Sequence, residues 1–414
     1  YGDLSGSYVA PEFLSVLRNN VNTGGAVQNL LALSLQAKGL SQISRTVLNP
    51  LAQVRNGLSG SFFLAANGNI GRDLDLSESF KLTLGKASNL TEQEFKEFFE
   101  DLGILNLRDQ NIIVNEFKSL IKEGAGVGAT GKTSDVIQNF INEKPVFREL
   151  QKLYSGTDTF WKVAALIGEQ AKYASAFKKS GLSFDTRVKE GVEQTADVVN
   201  ARKVAQAVTD DFLRAGVAQV DPKRTTLTGR EIDPLRSFAA EIVNRTMPTY
   251  NRVAEVIRNI KRIPVFGNFV AFPAEIIRNS SNILDQSVRE MGYKAGTDLI
   301  DAIKASGKST DEAEIMARNL EKEVRAIGAK RASGYLTSGA VVPAALQKAA
   351  LQMNNMTEED LDAMRPFIPV YHRGNIVLPL SNPKDGIVDY IDLSYMMPYD
   401  YLLGGYRAAL NSYS

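Results

Sequence analysis

The chain has 414 residues, 44% of them hydrophobic and 23% charged, which gives enough apolar side chain for a real core and excludes wholesale disorder. Lysine and arginine number 48 against 47 aspartates and glutamates, so there is no surplus for a broad basic face and any contact with nucleic acid must be local. Cysteine is absent and His372 is the single histidine, which removes disulfides, thiolate nucleophiles, cysteine-held metals and multi-histidine metal centres together.

The chain opens on Tyr1, with no charged segment leading into an apolar one. This suggests a processed product or part of a longer polypeptide, and we take the second as the expectation. Length allows two to four domains at roughly 100–200 residues each, or one large irregular one. The expected divisions are an N-terminal helical region over 1–155 with a Gly-rich loop, a central helical region over 156–350, and an acidic, Tyr-rich region over 351–414. The longest uncharged runs, Asn19–Ala37, Asn56–Gly71 and Ala332–Gln347, are rich in Gly, Ser, Ala or amides. None reads as a membrane span, which needs about 20 predominantly apolar residues.

In chain order, Ile43, Val47, Leu51, Val54 and Leu58 recur at helical steps, Pro50 marks a kink or a start, and Asn67-Gly68-Asn69 marks a turn. Thr91-Glu92-Gln93-Glu94 is a capping box ahead of Phe95, Phe98, Phe99 and Leu102. From Asp158 to Leu213 the pattern is helical, with Trp161, Ala165, Ile167, Ala171 and Phe177 read as a core stripe. A second helical block runs from Leu235 to about Lys304, broken at Pro248, Pro264 and Pro273. Ser309-Thr310-Asp311-Glu312 opens a charged helix to about Arg331, and Thr357 caps a short acidic helix. Beyond it Gly374–Leu380 and Gly386–Leu393 read as the strands of a hairpin joined through 381–385. Seven of the 14 tyrosines lie beyond Val370, which suits a docking surface or a strand pair packed on its own helices. The fold class expected is mainly α, an extended multi-helix assembly with a small β-hairpin near the C-terminus.

Gly126–Thr133 matches the phosphate-loop pattern G-x-x-x-x-G-K-[ST], in which backbone amides cradle phosphate, Lys132 neutralises charge and Thr133 holds magnesium. The preceding Asn115–Glu123 has a helical pattern, where a phosphate loop needs a buried strand, and no apolar run ending in Asp offers a magnesium partner. We read it as a flexible loop before a capped helix, and expect no cofactor. Asp73 and Asp75, and Asp210 with Asp211, are close acid pairs without a third ligand at suitable spacing or a strand context. His372 is read as a structural or surface residue. Arg252, Arg258, Lys261 and Arg262 share one helical segment opposed only by Glu255, which makes them the candidate phosphate-contacting strip. Ile263–Ala274 is the most apolar stretch, and Phe266, Phe269 and Phe272 in it are the candidate interface residues.

Several segments taken together carry a resemblance: Tyr1–Pro11, Arg45–Asn56, Asp158–Lys162, Asn244–Tyr250, Arg262–Asn279 and Asp389–Pro398. In this order the chain resembles the large internal virion proteins of tailed bacteriophages, which are packaged in the head and ejected with DNA. Some are fused to a virion-packaged RNA polymerase, and related segments occur in large polyvalent proteins of mobile elements. The resemblance implies a helical, non-catalytic structural segment located in the virion and delivered towards the host envelope or cytoplasm. Its implied partners are portal, tail or other ejection proteins, in an oligomeric arrangement, with DNA met through its backbone and transient membrane contact during ejection. The rival readings are part of a virion-associated RNA polymerase and a sequence-independent DNA-binding module. For the loop at 126–133 the expected result of isothermal titration with ATP and magnesium is no heat above dilution. Micromolar binding that disappears in Lys132→Ala would overturn that reading.

Overall fold

A computed structural model describes residues 50–69, 145–182, 196–219, 234–248, 271–369, 373, 375–381, 389–394, 397 and 399. The chain divides into two compact units, one comprising Tyr1–Gln53, Leu107–Ser155 and Tyr250–Ala274, the other Val54–Asn106, Gly156–Thr249 and Glu275–Ser414. Of the first, only residues 50–53, 145–155 and 271–274 are described, all of them helical. The second unit holds both strands of the hairpin and the packed helices.

The protein is mainly helical, with a two-stranded antiparallel hairpin near the C-terminus. Its helices are α1 (Pro50–Ala66), α2 (Pro145–Lys179), α3 (Ala196–Arg214), α4 (Pro234–Thr246), α5 (Ala271–Met291), α6 (Thr297–Ala305), α7 (Thr310–Leu336), α8 (Val342–Met353) and α9 (Glu358–Met364). A π-turn, Thr337–Val341, joins α7 to α8. Strands β1 (Val377–Pro379) and β2 (Tyr390–Asp392) pair with Leu378 opposite Ile391.

The helix starts follow from local chemistry. Pro50, Pro145 and Pro234 each stand at the first helical position, where a missing N–H costs nothing and a fixed φ is already helical. Ser309 accepts from the Glu312 amide while Glu312 reaches back to the Ser309 amide, and Thr357 with Asp360 repeats the device at α9. Pro248 follows α4 closely and Pro273 falls in the first turn of α5, positions that proline tolerates. Helix α2 begins at Pro145, earlier than the helical pattern from Asp158. Helix α7 continues past Arg331 to Leu336.

The main core gathers α2, α3, α4, α6 and α7 around Phe212, which is completely buried. Its ring meets Tyr173, Phe177, Phe238 and Tyr293 at centroid distances of 5.7, 6.3, 5.2 and 5.1 Å. Aromatic pairs in this range contribute about 0.5–1.5 kcal/mol beyond area burial. Of the stripe read from sequence, Ala165 and Phe177 are buried, while Trp161, Ile167 and Ala171 are half-buried. A smaller core, formed by Leu351, Met356, Leu361, Met364, Ile368 and Val377, lies under the hairpin.

Helix α1 is held by close backbone approach. After it, Asn67-Gly68-Asn69 forms the expected turn, with Gly68 at φ 71°, where a Cβ would also sit only 3.0 Å from the Lys330 carbonyl oxygen. A Cβ at Gly334 would run into the Ala65 carbonyl, whereas a Cβ at Gly57 would meet nothing. Gly334→Ala is therefore expected to lose about 1–3 kcal/mol by overpacking. Gly57→Ala should gain up to about 1 kcal/mol from helix propensity. Urea midpoints followed by circular dichroism check both, and equal shifts in the two variants would contradict the packing described.

Candidate functional site

Among the described residues, the densest group of ionisable side chains lies inside the bundle, where α2, α5 and α7 face the turn after α1. Arg331 of α7, Glu169 of α2 and Glu290 of α5 have no exposed surface, and Lys172 of α2 is 5% exposed. The guanidinium of Arg331 donates through Nη1 and Nη2 to the two oxygens of Glu169, each at 2.8 Å. It donates to Glu290 through Nε at 3.0 Å and Nη2 at 2.8 Å. Its remaining N–H goes to Oδ1 of Asn67 at 3.0 Å. All five donors are thus used, two carboxylates being gripped in the bidentate manner that suits guanidinium geometry.

The partners make further hydrogen bonds in turn. Lys172 Nζ donates to Glu169 at 2.9 Å and to the Asn67 carbonyl at 2.8 Å. Asn69 also donates to Glu169, at 3.1 Å. Glu290 accepts from the Tyr173 hydroxyl at 2.6 Å and from Gln286 at 3.1 Å, and Gln286 accepts from Arg245. Two buried cations meet two buried carboxylates, so the formal charge cancels.

Electrostatics follow from this geometry. Burial pushes Glu169 up, but Arg331 and Lys172 together pull harder and hold it at about 2. Burial and the neighbouring Arg331 depress Lys172 to about 8, with Glu169 and Glu290 offsetting only part of the effect. Burial alone would lower Arg331, yet the two carboxylates hold it well above its ordinary value. Burial and Glu290 raise the Tyr173 hydroxyl, which stays a donor.

Two smaller constellations fix the loops between helices. Asp211 accepts from the Tyr293 hydroxyl at 2.7 Å and from the Gly296 amide at 3.1 Å, tying α3 to the start of α6. Burial first, then Asp211, raise the Tyr293 hydroxyl. Arg278 donates to the Arg245 and Met247 carbonyls at 2.9 and 3.1 Å and pairs with Glu275, closing the C-terminus of α4. An open groove of about 490 Å³ is lined by Ala207, Asp210, Leu213, Arg214 and Asp298, and Arg214 is ion-paired to Asp298.

The candidates from sequence fall differently. Arg252, Arg258, Lys261, Arg262, Phe266 and Phe269 lie outside the described residues, as do Gly126–Thr133, Asp73, Asp75 and His372, and Phe272 stands in the first turn of α5. Asp211 spends its carboxylate on Tyr293 and Gly296, while Asp210 accepts from Gln206 at 2.9 Å. Among the described residues no group of three or more acids or histidines could hold a metal ion, and no helix is long and apolar enough to cross a membrane.

The surface carries a second feature. Ile277, Leu284, Val288 and Met291 of α5 are exposed to 56, 42, 64 and 41%, and with Ser281 they follow steps of four, three, four and three residues. That spacing is the seam by which one helix packs along another. Leu336, Val341 and Leu346 are exposed along the uncharged run Ala332–Gln347. No protein family, curated protein or solved structure matches the chain.

The linkage signs are opposite at the two titrating members. Glu169, whose pKa is depressed on folding from 4.5 to about 2, contributes about 3 kcal/mol above pH 4.5 that is lost as pH falls towards 2. Lys172, depressed from 10.5 to about 8, costs about 3 kcal/mol at neutral pH, and stability recovers that amount as pH rises from 8 to 10.5. Unfolding free energies measured by urea titration should rise across both windows. Glu169→Gln should flatten the acid limb, and Lys172→Met the alkaline one. Arg331→Ala should lose about 3–5 kcal/mol at pH 7, because it removes the ion-pair partner of buried Glu290 and leaves Glu169 with Lys172 alone.

Proposed function

We propose that this chain is a non-catalytic structural segment of a phage internal virion or ejection protein. It packs against portal, tail or other ejection proteins and assists delivery of the genome. The observation that carries the reading is the seam on α5: four large apolar side chains at helix-packing steps, left facing outward by a helix whose other face is buried. A surface of that kind suits assembly with other proteins. The buried charges support the same reading, since Arg331, Glu169, Glu290 and Lys172 use their hydrogen-bonding capacity on one another and on their own chain. Such a cluster suits the holding of helices in place. The resemblance along the sequence supplies the location, and the absence of cysteine suits a chain that passes a narrow channel, where a cross-link would block passage.

The test has two arms. Mass spectrometry of purified particles should find this chain as a virion component, and its absence would sink the location. The double variant Leu284→Asp with Val288→Asp changes only exposed positions, so its urea midpoint should stay near the parent's. Its incorporation into particles should drop at least tenfold. Normal incorporation and infectivity would rule out the seam as an assembly surface. Retention on DNA that weakens steeply with salt would instead favour the DNA-binding reading of Arg252–Arg262.

A further inference from the structure

From Thr310 to Met353 the backbone stays helical, yet its ladder changes in the middle. Leu336, Thr337, Val341 and Val342 all keep right-handed helical angles. The Val342 amide, however, donates to the Thr337 carbonyl, five residues back. Pro343, next in line, has no amide to donate. Gly339 lies within the same turn and costs up to about 1 kcal/mol relative to alanine in a helix. One continuous helix therefore has its weakest hydrogen bonding over Thr337–Pro343, and π-turns and prolines are the usual sites of helix bending.

The two sides of this turn belong to different cores. Helix α7 contributes Ala313, Leu320, Val324 and Ile327 to the core around Phe212. Beyond the turn, Leu351 of α8 joins the separate core with Met356, Leu361, Met364, Ile368 and Val377. Polar ties hold that segment together: Gln347 and Asn354 donate to the Val377 and Pro379 carbonyls, Arg373 donates to the Ile368 and Pro366 carbonyls, and Asn375 donates to Asp392. Apolar side chains join it to α1 and α7. Phe62 packs on the cluster of Ile376, Leu393 and Met397, and Tyr399 meets Phe63 and Tyr335 edge-on at 5.7 and 5.1 Å.

We infer that α8, α9 and the hairpin form one module that swings about the π-turn, held closed against α1 by the Phe62, Phe63, Tyr335 and Tyr399 contacts. The device is independent of the assembly role proposed for the α5 seam. A module with its own core, a soft joint in a continuous helix and an apolar latch are the three parts it needs.

The chain has no cysteine, so labels can be placed cleanly. Cysteines substituted for the exposed Lys322 on α7 and Gln352 on α8 would carry spin labels, with the distance between them read by double electron–electron resonance. The full-length parent should show one dominant distance. Phe62→Ala with Tyr399→Ala should raise a second, longer distance at least tenfold in population. Hydrogen exchange at the Leu380 and Leu393 amides, which donate to Asp389 and Ile376, should stay as slow as in the parent. Adding Pro343→Ala, which restores a donor at the joint, should narrow the released distribution. An unchanged single distance in the latch variant overturns the proposal. So does loss of protection at Leu380 and Leu393 together with the new distance, which means unfolding in place of a swing. A released distribution indifferent to Pro343→Ala overturns the placing of the joint.

Discussion

A guanidinium with no exposed surface cannot borrow water for any of its five N–H groups, so each must be met by a protein atom in the right place. At Arg331 this requirement fixes four pieces of chain at once: Glu169 sets the phase of α2, Glu290 that of α5, Arg331 that of α7, and Asn67 the depth of the turn after α1. The same carboxylate of Glu290 takes the Tyr173 hydroxyl, whose ring packs on Phe212 and Phe238. The charged cluster and the aromatic hub are therefore two halves of one arrangement. A slip of α7 by a single residue would carry Arg331 away from both carboxylates, leaving Glu290 without its ion-pair partner and Glu169 with Lys172 alone.

That constraint contributes specificity more than stability. The stabilisation at Glu169 and the cost at Lys172 are each about 3 kcal/mol at neutral pH and nearly cancel. Desolvating such groups commonly consumes what their attraction returns. Net stability has to come from the apolar side chains, among them Phe177, Phe212, Phe238, Ile242, Leu299 and Leu320, all close to full burial. Apolar packing alone tolerates many registers, and the cluster selects among them by making the alternatives electrostatically costly.

Much of the fold is legible in the sequence because it rests on local chemistry. The capping boxes at Ser309 and Thr357, the helix start at Pro50, the Asn67-Gly68-Asn69 turn and the hairpin pairing each depend on residues near one another in sequence. The charged cluster has no such local mark, since Glu169 and Arg331 are 162 positions apart and an acid or base on a helix usually marks a solvated face. A signal is present in the phase. In α7 the buried positions run Ala313, Ala317, Leu320, Val324, Ile327 and Arg331, so the arginine continues an inward stripe. In α5 Glu290 continues Ile276, Ile283 and Gln286 in the same way. A charge that keeps step with a core stripe has to have a buried counter-charge, although the stripe does not say where in the chain it lies.

The π-turn answers a problem of phase that the cluster creates. With Arg331 held inward and Gly334 against Ala65, an unbroken helix would turn positions near 338, 342, 345 and 349 inward at 3.6 residues per turn. Ser338 is buried as that spacing requires, but Ala345 and Ala349 are exposed, and Pro343 and Leu351 are buried in their place. One extra residue within the turn rotates everything after it by about 100° relative to the helix before. Val341 is thereby left 59% exposed, and Leu351 reaches the core beneath the hairpin. An ordinary α-helix could satisfy the Arg331 cluster or the second core along this line, and the looser turn between them lets the chain satisfy both.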